Sequence, residues 1–265
     1  MKLSTFDNVP SRVIELEEVF NLRDLGGYPT GDGRSTRWRQ LFRSDALHRI
    51  TTADLDTLTG LGITTVIDLR SQSEIAFAGQ GLLLNSAITF VTTHDGDDDR
   101  AQDGTMRSVG PLSHRYLDYL ANERLHIAIK RLADSDCYPA IINCFFGKDR
   151  TGVLAALLLE ILGVDRSIVI SDYALSSSRT GALIARLKED PLYRETLEQT
   201  DPSLLAADPS TMSTFLQAVD ERYGGAESWA RAGGIVSSDL ARLRANLLVR
   251  SPPNRHHYSI TQFEA

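Results

Sequence analysis

The chain has 265 residues, of which 42% are hydrophobic and 24% charged, with a formal net charge of −7. That length and balance fit a soluble globular protein with one sizeable core, and the negative charge speaks against a nucleic-acid surface. Cys137 and Cys144 are the only cysteines, which excludes a disulfide scaffold.

No apolar run of about twenty residues, long enough to span a bilayer, occurs. Residues 1–13 lack the apolar stretch of a secretory signal. A cytoplasmic protein without stable membrane insertion is expected, although export by another route would leave no mark. Internal repeats and low-complexity linkers are missing, so residues 1–265 read as a single domain.

Residues 20–28 and 38–43 flank the turn-rich 29–33, which holds an Asp-Gly pair, and together they predict a hairpin. Thr51 and Thr52 precede Leu55, Leu58 and Leu61, the pattern of a short capped helix stopping at Gly62. Residues 63–69 and 88–93 are β-branched apolar runs and read as strands. Five aspartates between Asp95 and Asp103 make a solvated acidic loop. From 111 to 135 apolar residues recur at steps of three and four, which predicts one amphipathic helix. Residues 140–143 form a strand, and 151–162, apolar nearly all round, a buried helix ending at Gly163. Helical patterns follow at 165–178, 211–223 and 237–250. The polar, proline-broken stretch 180–210 between them is a candidate lid. Strands alternating with helices indicate an α/β fold: a mainly parallel central sheet, an N-terminal hairpin and a helical C-terminal region.

Residues 143–152 read Asn-Cys-Phe-Phe-Gly-Lys-Asp-Arg-Thr-Gly. They join the end of a buried strand to the first turn of a buried helix, where open α/β sheets bind ligands. A thiol is a weak nucleophile until its thiolate is stabilised. Backbone N–H groups entering a helix N-terminus can stabilise Cys144 and also hold phosphate oxygens. Gly147 relaxes the tight backbone. Arg150 offers a two-pronged grip that Lys cannot reproduce. Thr151 can donate its hydroxyl to the Cys144 sulfur, Lys148 adds a point charge, and Phe145 and Phe146 line the mouth. The loop thereby gathers positive potential on an acidic chain. Cys144 as a small buried hydrophobe beside a solvated helix start is the plainer account; strand, glycine, Arg-Thr and buried helix together outweigh it.

The pattern CxxGKDRTG resembles the signature loop of the atypical bacterial tyrosine phosphatases with dual protein and lipid specificity. Residues 21–28 (NLRDLGGY), 41–45 (LFRSD) and 66–71 (VIDLRS) are similar to further segments of that family, as are 215–225 and 240–247. The resemblance implies a cysteine-phosphatase fold with helices on both sheet faces, and no cofactor or metal. In the implied mechanism Cys144 attacks phosphorus in line while Arg150 and loop amides hold the equatorial oxygens; water then hydrolyses the cysteinyl phosphate. The implied partners are phosphorylated proteins, phosphotyrosine first, with phosphoserine, phosphothreonine or phosphoinositides beside it. A small phosphorylated metabolite, or phosphate binding without turnover, are the alternatives.

The proton donor is open between three places. Asp149 is where the family pattern points, though it could instead cap the helix or pair with Lys148 or Arg150. Asp68 ends a strand and could be the acid or could orient Arg70 or Arg23. Asp95 begins the acidic loop. Arg23 and Asp24 either brace the phosphate loop or satisfy buried backbone. Cys137 lies at the far end of the strand from Cys144, too distant for a disulfide. His48, His94, His114 and His126 show no metal-ligand spacing, and the pair His256-His257 sits near the chain end. Most of the family has His before the nucleophile. Here Asn143 can donate and accept but cannot become cationic.

Overall fold

A computed structural model describes residues 11–93, 111–189, 194, 197, 198 and 202–251. The acidic loop from Asp95, the histidines 94, 256 and 257, and part of the candidate lid lie outside those residues. The strands are β1 (Arg23–Asp24), β2 (Arg34–Thr36), β3 (Leu41–Ser44), β4 (Thr65–Asp68), β5 (Thr89–Thr92), β6 (Ala140–Asn143) and β7 (Leu248–Arg250). The main sheet runs in the order β1-β3-β6-β4-β5. Only β1 is antiparallel to its neighbour; β3, β6, β4 and β5 are parallel.

Strands this short still sort their side chains by the period of two. Leu41, Ile67, Ala140 and Ile142 enter the larger core. Phe42, Val66 and Ile141, one step along, enter a second core with Leu47, Leu58, Ile63 and Leu83. The sheet is therefore covered on both faces, as expected.

The helices are α1 (Thr52–Gly60), α2 (Gln72–Ala78), α3 (Leu112–Leu120), α4 (Glu123–Leu132), α5 (Arg150–Ile161), α6 (Arg166–Ala174) and α7 (Ser176–Glu189), followed by Pro202–Leu205, Pro209–Tyr223, Ala226–Ala232 and Ser237–Leu247. α1 begins at the predicted cap, where the Thr51 side chain accepts from the Asp54 amide and Asp54 answers to the Thr51 amide. In α5 every residue from Thr151 to Leu159 is buried, which its all-apolar sequence requires. Among the described residues no helix is long and apolar enough to cross a membrane.

Two expectations change. The single helix over 111–135 is two, because Asn122 interrupts it and caps α4 by accepting from the Arg124 amide at 2.8 Å. The helix expected to run to Arg250 stops at Leu247, since β7 pairs antiparallel with β2. The predicted hairpin forms, since β1 and β3 pair antiparallel, and β2, which was not expected as a strand, also bonds back to Gly27, Tyr28 and Thr30 across the turn. The first part of the candidate lid is α7, whose Leu183 and Leu187 are buried with Leu197 against Phe20, Phe145, Phe146 and Leu205.

Candidate active site

The register aligns Ser44, Asn143 and Asp68 across three parallel strands. Cys144 follows Asn143 at this carboxyl edge and is 2% exposed. The chain then turns through residues 145–149 and enters α5 at Arg150. Among the described residues, the backbone N–H groups of Phe146, Gly147, Lys148, Asp149 and Arg150 donate to no protein acceptor. Consecutive amides left without acceptors beside a helix N-terminus make an anion site. Gly147 lets the loop close down on β3. Its φ is +66°, and a Cβ there would lie 2.5 Å from the Asp45 amide and the Ser44 carbonyl.

Arg150 is held by Glu74 of α2, with Nη1 to Oε2 at 2.5 Å and Nη2 to Oε1 at 2.7 Å. A second Nη1 hydrogen goes to the Leu69 carbonyl at 3.1 Å. Of the five guanidinium hydrogens this leaves Nε–H and one on Nη2, which lie parallel along one edge. Burial would raise the Glu74 pKa, but Arg150 outweighs it and brings it from 4.5 down to about 2. Glu74 was not singled out in the sequence. Its signal is a capping box directly after VIDLRS: the Ser71 side chain accepts from the Glu74 amide at 3.1 Å, while Glu74 accepts from the Ser71 amide at 2.6 Å.

On the opposite side Arg43 donates to the Gly147 carbonyl at 2.8 Å and to Asp172 Oδ2 at 2.6 Å. Arg23 Nε reaches Asp172 Oδ1 at 3.1 Å, and the Tyr28 hydroxyl donates to the same oxygen at 2.9 Å. Burial alone would raise the Asp172 pKa, but Arg23 and Arg43 prevail and hold the carboxyl well below its usual range. Arg23 thus braces the loop through Asp172 and Arg43. Asp24, by contrast, accepts from the Gly26 and Arg39 amides at 2.8 and 2.9 Å and so satisfies backbone. Asn21 adds a tie to the Phe146 carbonyl at 3.2 Å.

The remaining expected residues divide. Asp149 occupies the N-cap position of α5, yet its side chain caps nothing. Instead its Oδ1 accepts from the Tyr116 hydroxyl at 2.7 Å and faces Lys148 Nζ at 3.1 Å. Lys148 is not turned toward the open side of the loop, where a substrate-facing charge was expected. It is 1% exposed and donates to the carbonyls of Leu204 and Ala206, at 2.5 and 3.2 Å. Asp68 is fully engaged with Arg70, accepting from its amide at 2.9 Å and its Nε at 2.8 Å. That contact corresponds to the orienting alternative for Asp68. The Thr151 hydroxyl is buried without a hydrogen-bond partner, so the expected donation to sulfur is not made in this arrangement. Asn143 donates weakly to Asp68 at 3.4 Å, and its Oδ1 is unpartnered. Phe145 and Phe146 are half-buried, with ring centroids 5.4 Å apart.

Beside Arg150 lies a small recess, partly open to solvent, lined by Leu69, Tyr119, Asn122, Arg124, Leu125 and Arg150. Cys137 precedes β6 and Cys144 follows it, so the two free cysteines lie beyond opposite ends of that strand. No described His, Cys, Asp or Glu residues group as a metal site.

A parallel sheet whose central strand delivers a cysteine into an amide-rich loop, with an arginine opening the next helix, defines a phosphatase class. Residues 14–249 match the model of the tyrosine phosphatase family, and the chain belongs to that family. It is similar to the triple specificity protein phosphatase PtpB of Mycobacterium tuberculosis, 29% identical over 280 residues that cover 89% of this chain and 99% of that protein. A tyrosine-protein phosphatase of Nostoc commune is 25% identical over 224 residues, covering 77% of this chain and 73% of that one.

Proposed function

We propose that the protein hydrolyses phosphate monoesters through a cysteinyl phosphate on Cys144, with phosphotyrosine as principal substrate. Phosphoserine, phosphothreonine and phosphoinositides are further substrates on this reading, in line with the triple specificity in the name of the mycobacterial relative. The observation that carries it is the run of acceptor-free amides from Phe146 to Arg150, placed between a buried thiol and an arginine with one donor edge left over.

The amides take the equatorial phosphate oxygens, and the Nε–Nη2 edge of Arg150 takes two of them in parallel. These donors are already fixed by Glu74, Leu69, Arg43 and Asn21, so the transition-state charge meets dipoles that need no rearrangement. The Cys144 sulfur attacks phosphorus as the bond to the leaving oxygen breaks. Asp149, whose side chain is 25% exposed, gives that oxygen its proton. Water then attacks the cysteinyl phosphate, Asp149 takes up one water proton, and thiolate and phosphate are released. Tyr119 and Leu125 offer an apolar wall beside Arg150 that suits an aryl group.

The test is hydrolysis of an aryl phosphate by wild type and by Cys144→Ser, which is expected to abolish turnover. Turnover surviving that change overturns the mechanism. Phosphate bound by wild type without any turnover would mark a binding module, the reading favoured by Asn143. Phosphopeptides, phosphoinositides and sugar phosphates compared by kcat/KM then rank the substrates.

A further inference from the structure

Tyr116 belongs to α3 and is fully buried. Its ring is fixed edge-on by Tyr173 and Phe215, with centroids 6.2 and 5.9 Å away. Its hydroxyl sits 2.7 Å from Asp149 Oδ1 and 2.7 Å from the Tyr173 hydroxyl. A phenol has one hydrogen. When Asp149 is ionised its Oδ1 can only accept, so in that state Tyr116 donates to it and Tyr173 donates to Tyr116. The chain of hydroxyls then has one direction, from α6 through α3 to the loop. Gly152 admits it: a Cβ there would lie 3.0 Å from the Tyr173 ring.

Lys148 Nζ addresses the same oxygen at 3.1 Å. The Tyr116 hydroxyl and the Lys148 ammonium thus crowd Oδ1, and among the described residues the Asp149 side chain makes no hydrogen bond other than that with Tyr116. A hydrogen on Oδ1 would have to displace that of the Tyr116 hydroxyl and face the Lys148 ammonium, whereas one on Oδ2 meets neither. The proton is left to Oδ2.

We propose that Tyr116, backed by Tyr173, is a positioning residue that selects Oδ2 of Asp149 as the oxygen that delivers the proton. This rests on the reading of Asp149 as the acid. In the first step Oδ2 loses its hydrogen to the leaving oxygen as the P–O bond breaks and the S–P bond forms. The charge that appears on the carboxylate is received by Tyr116 and Lys148 at Oδ1, which strengthens the acid at the moment of transfer. In the second step the same Oδ2 takes a proton from the attacking water. Without the Tyr116 hydroxyl the carboxyl can rotate, and the proton is no longer aimed.

The experiment measures kcat/KM, which reports formation of the cysteinyl phosphate, on two substrates. Phenyl phosphate has a poor leaving group that needs the proton; 2,4-dinitrophenyl phosphate has a good one that does not. Asp149→Asn is expected to lose about 100-fold on the first and little on the second. Tyr116→Phe is expected to lose about tenfold on phenyl phosphate alone, with an unchanged melting temperature. Equal losses on both substrates, or none, overturn the role of Tyr116 while leaving Asp149 as the acid. If Asp149→Asn itself shows no selectivity, the acid assignment fails, and the role of Tyr116 falls with it. Should Tyr116→Phe fold poorly, Tyr173→Phe removes only the backing hydroxyl. About a threefold loss confined to phenyl phosphate is then expected, and a loss without selectivity overturns the inference.

Discussion

Two arginine–carboxylate pairs hold the phosphate loop from opposite sides, and they differ mainly in their access to water. Arg43 and Asp172 are sealed, each with about 1% of its side chain exposed. Arg150 and Glu74 keep 17% and 19%. In the sealed pair most donors are spent on protein: Arg23, Arg43 and Tyr28 all converge on Asp172. In the open pair the carboxylate uses one edge of the guanidinium and leaves another. The same two chemical groups therefore make a brace where water is excluded and a tool where it is admitted.

The largest effect should come from breaking the brace. Asp172→Asn leaves Arg23 and Arg43 as buried charges without a counter-ion. Chemical denaturation is expected to show a loss of about 3–5 kcal/mol. Stability within about 1 kcal/mol of wild type would erase the distinction between the pairs.

Glu74→Gln tests the open pair. The folded-state pKa of Glu74 lies at about 2, below its ordinary 4.5. A depressed carboxylate contributes stability that is present above pH 4.5 and lost as pH falls toward 2. Between pH 5 and pH 2 wild type should lose on the order of 3 kcal/mol more than the Gln variant in urea titrations. At neutral pH the variant should lose about tenfold in kcat/KM, because Arg150 is no longer aimed. Parallel acid-stability curves for the two proteins would show that the pair is too wet to matter.

The smallest effect concerns Asn143. A histidine there would stand beside the Asp68 carboxylate, which already accepts from Asn143 Nδ2, and could carry a positive charge next to the thiol. Asn143→His should alkylate at Cys144 about fivefold faster with iodoacetamide at pH 6. A rate equal to wild type would show that the loop amides and Arg150 alone set the reactivity.

What could be read from the sequence was whatever depends on neighbours along the chain. Strand β6 and helix α5 were placed within a residue, because an apolar run ending at a glycine-bearing loop leaves few choices. Cys144, Gly147 and Arg150 were legible for the same reason. Partners fixed by the fold were not. Asp172 and Tyr116 lie in ordinary helix patterns, and only the packing of α3 and α6 on α5 brings them to the loop. Glu74 could have been found, since Ser71-x-x-Glu74 is a local capping signal. Lys148 misled because charge in a phosphate loop suggests the ligand, whereas the long apolar stem let its ammonium reach the Leu204 and Ala206 carbonyls. The break at Asn122 was missed since one capping side chain does not disturb an apolar repeat.

Asp172 and Tyr173 are neighbours on α6, and one ties to the loop through Arg43 while the other reaches Asp149 through Tyr116. Adjacent helical positions point about 100° apart, so a single short helix serves two walls of the same site. For protein engineering this sets the smallest transplantable unit. Moving residues 143–152 onto another sheet would carry Cys144 and its loop but neither wall. A graft that keeps catalysis must bring the Asp-Tyr dipeptide at its native angle, together with the Ser-x-x-Glu turn that orients Arg150.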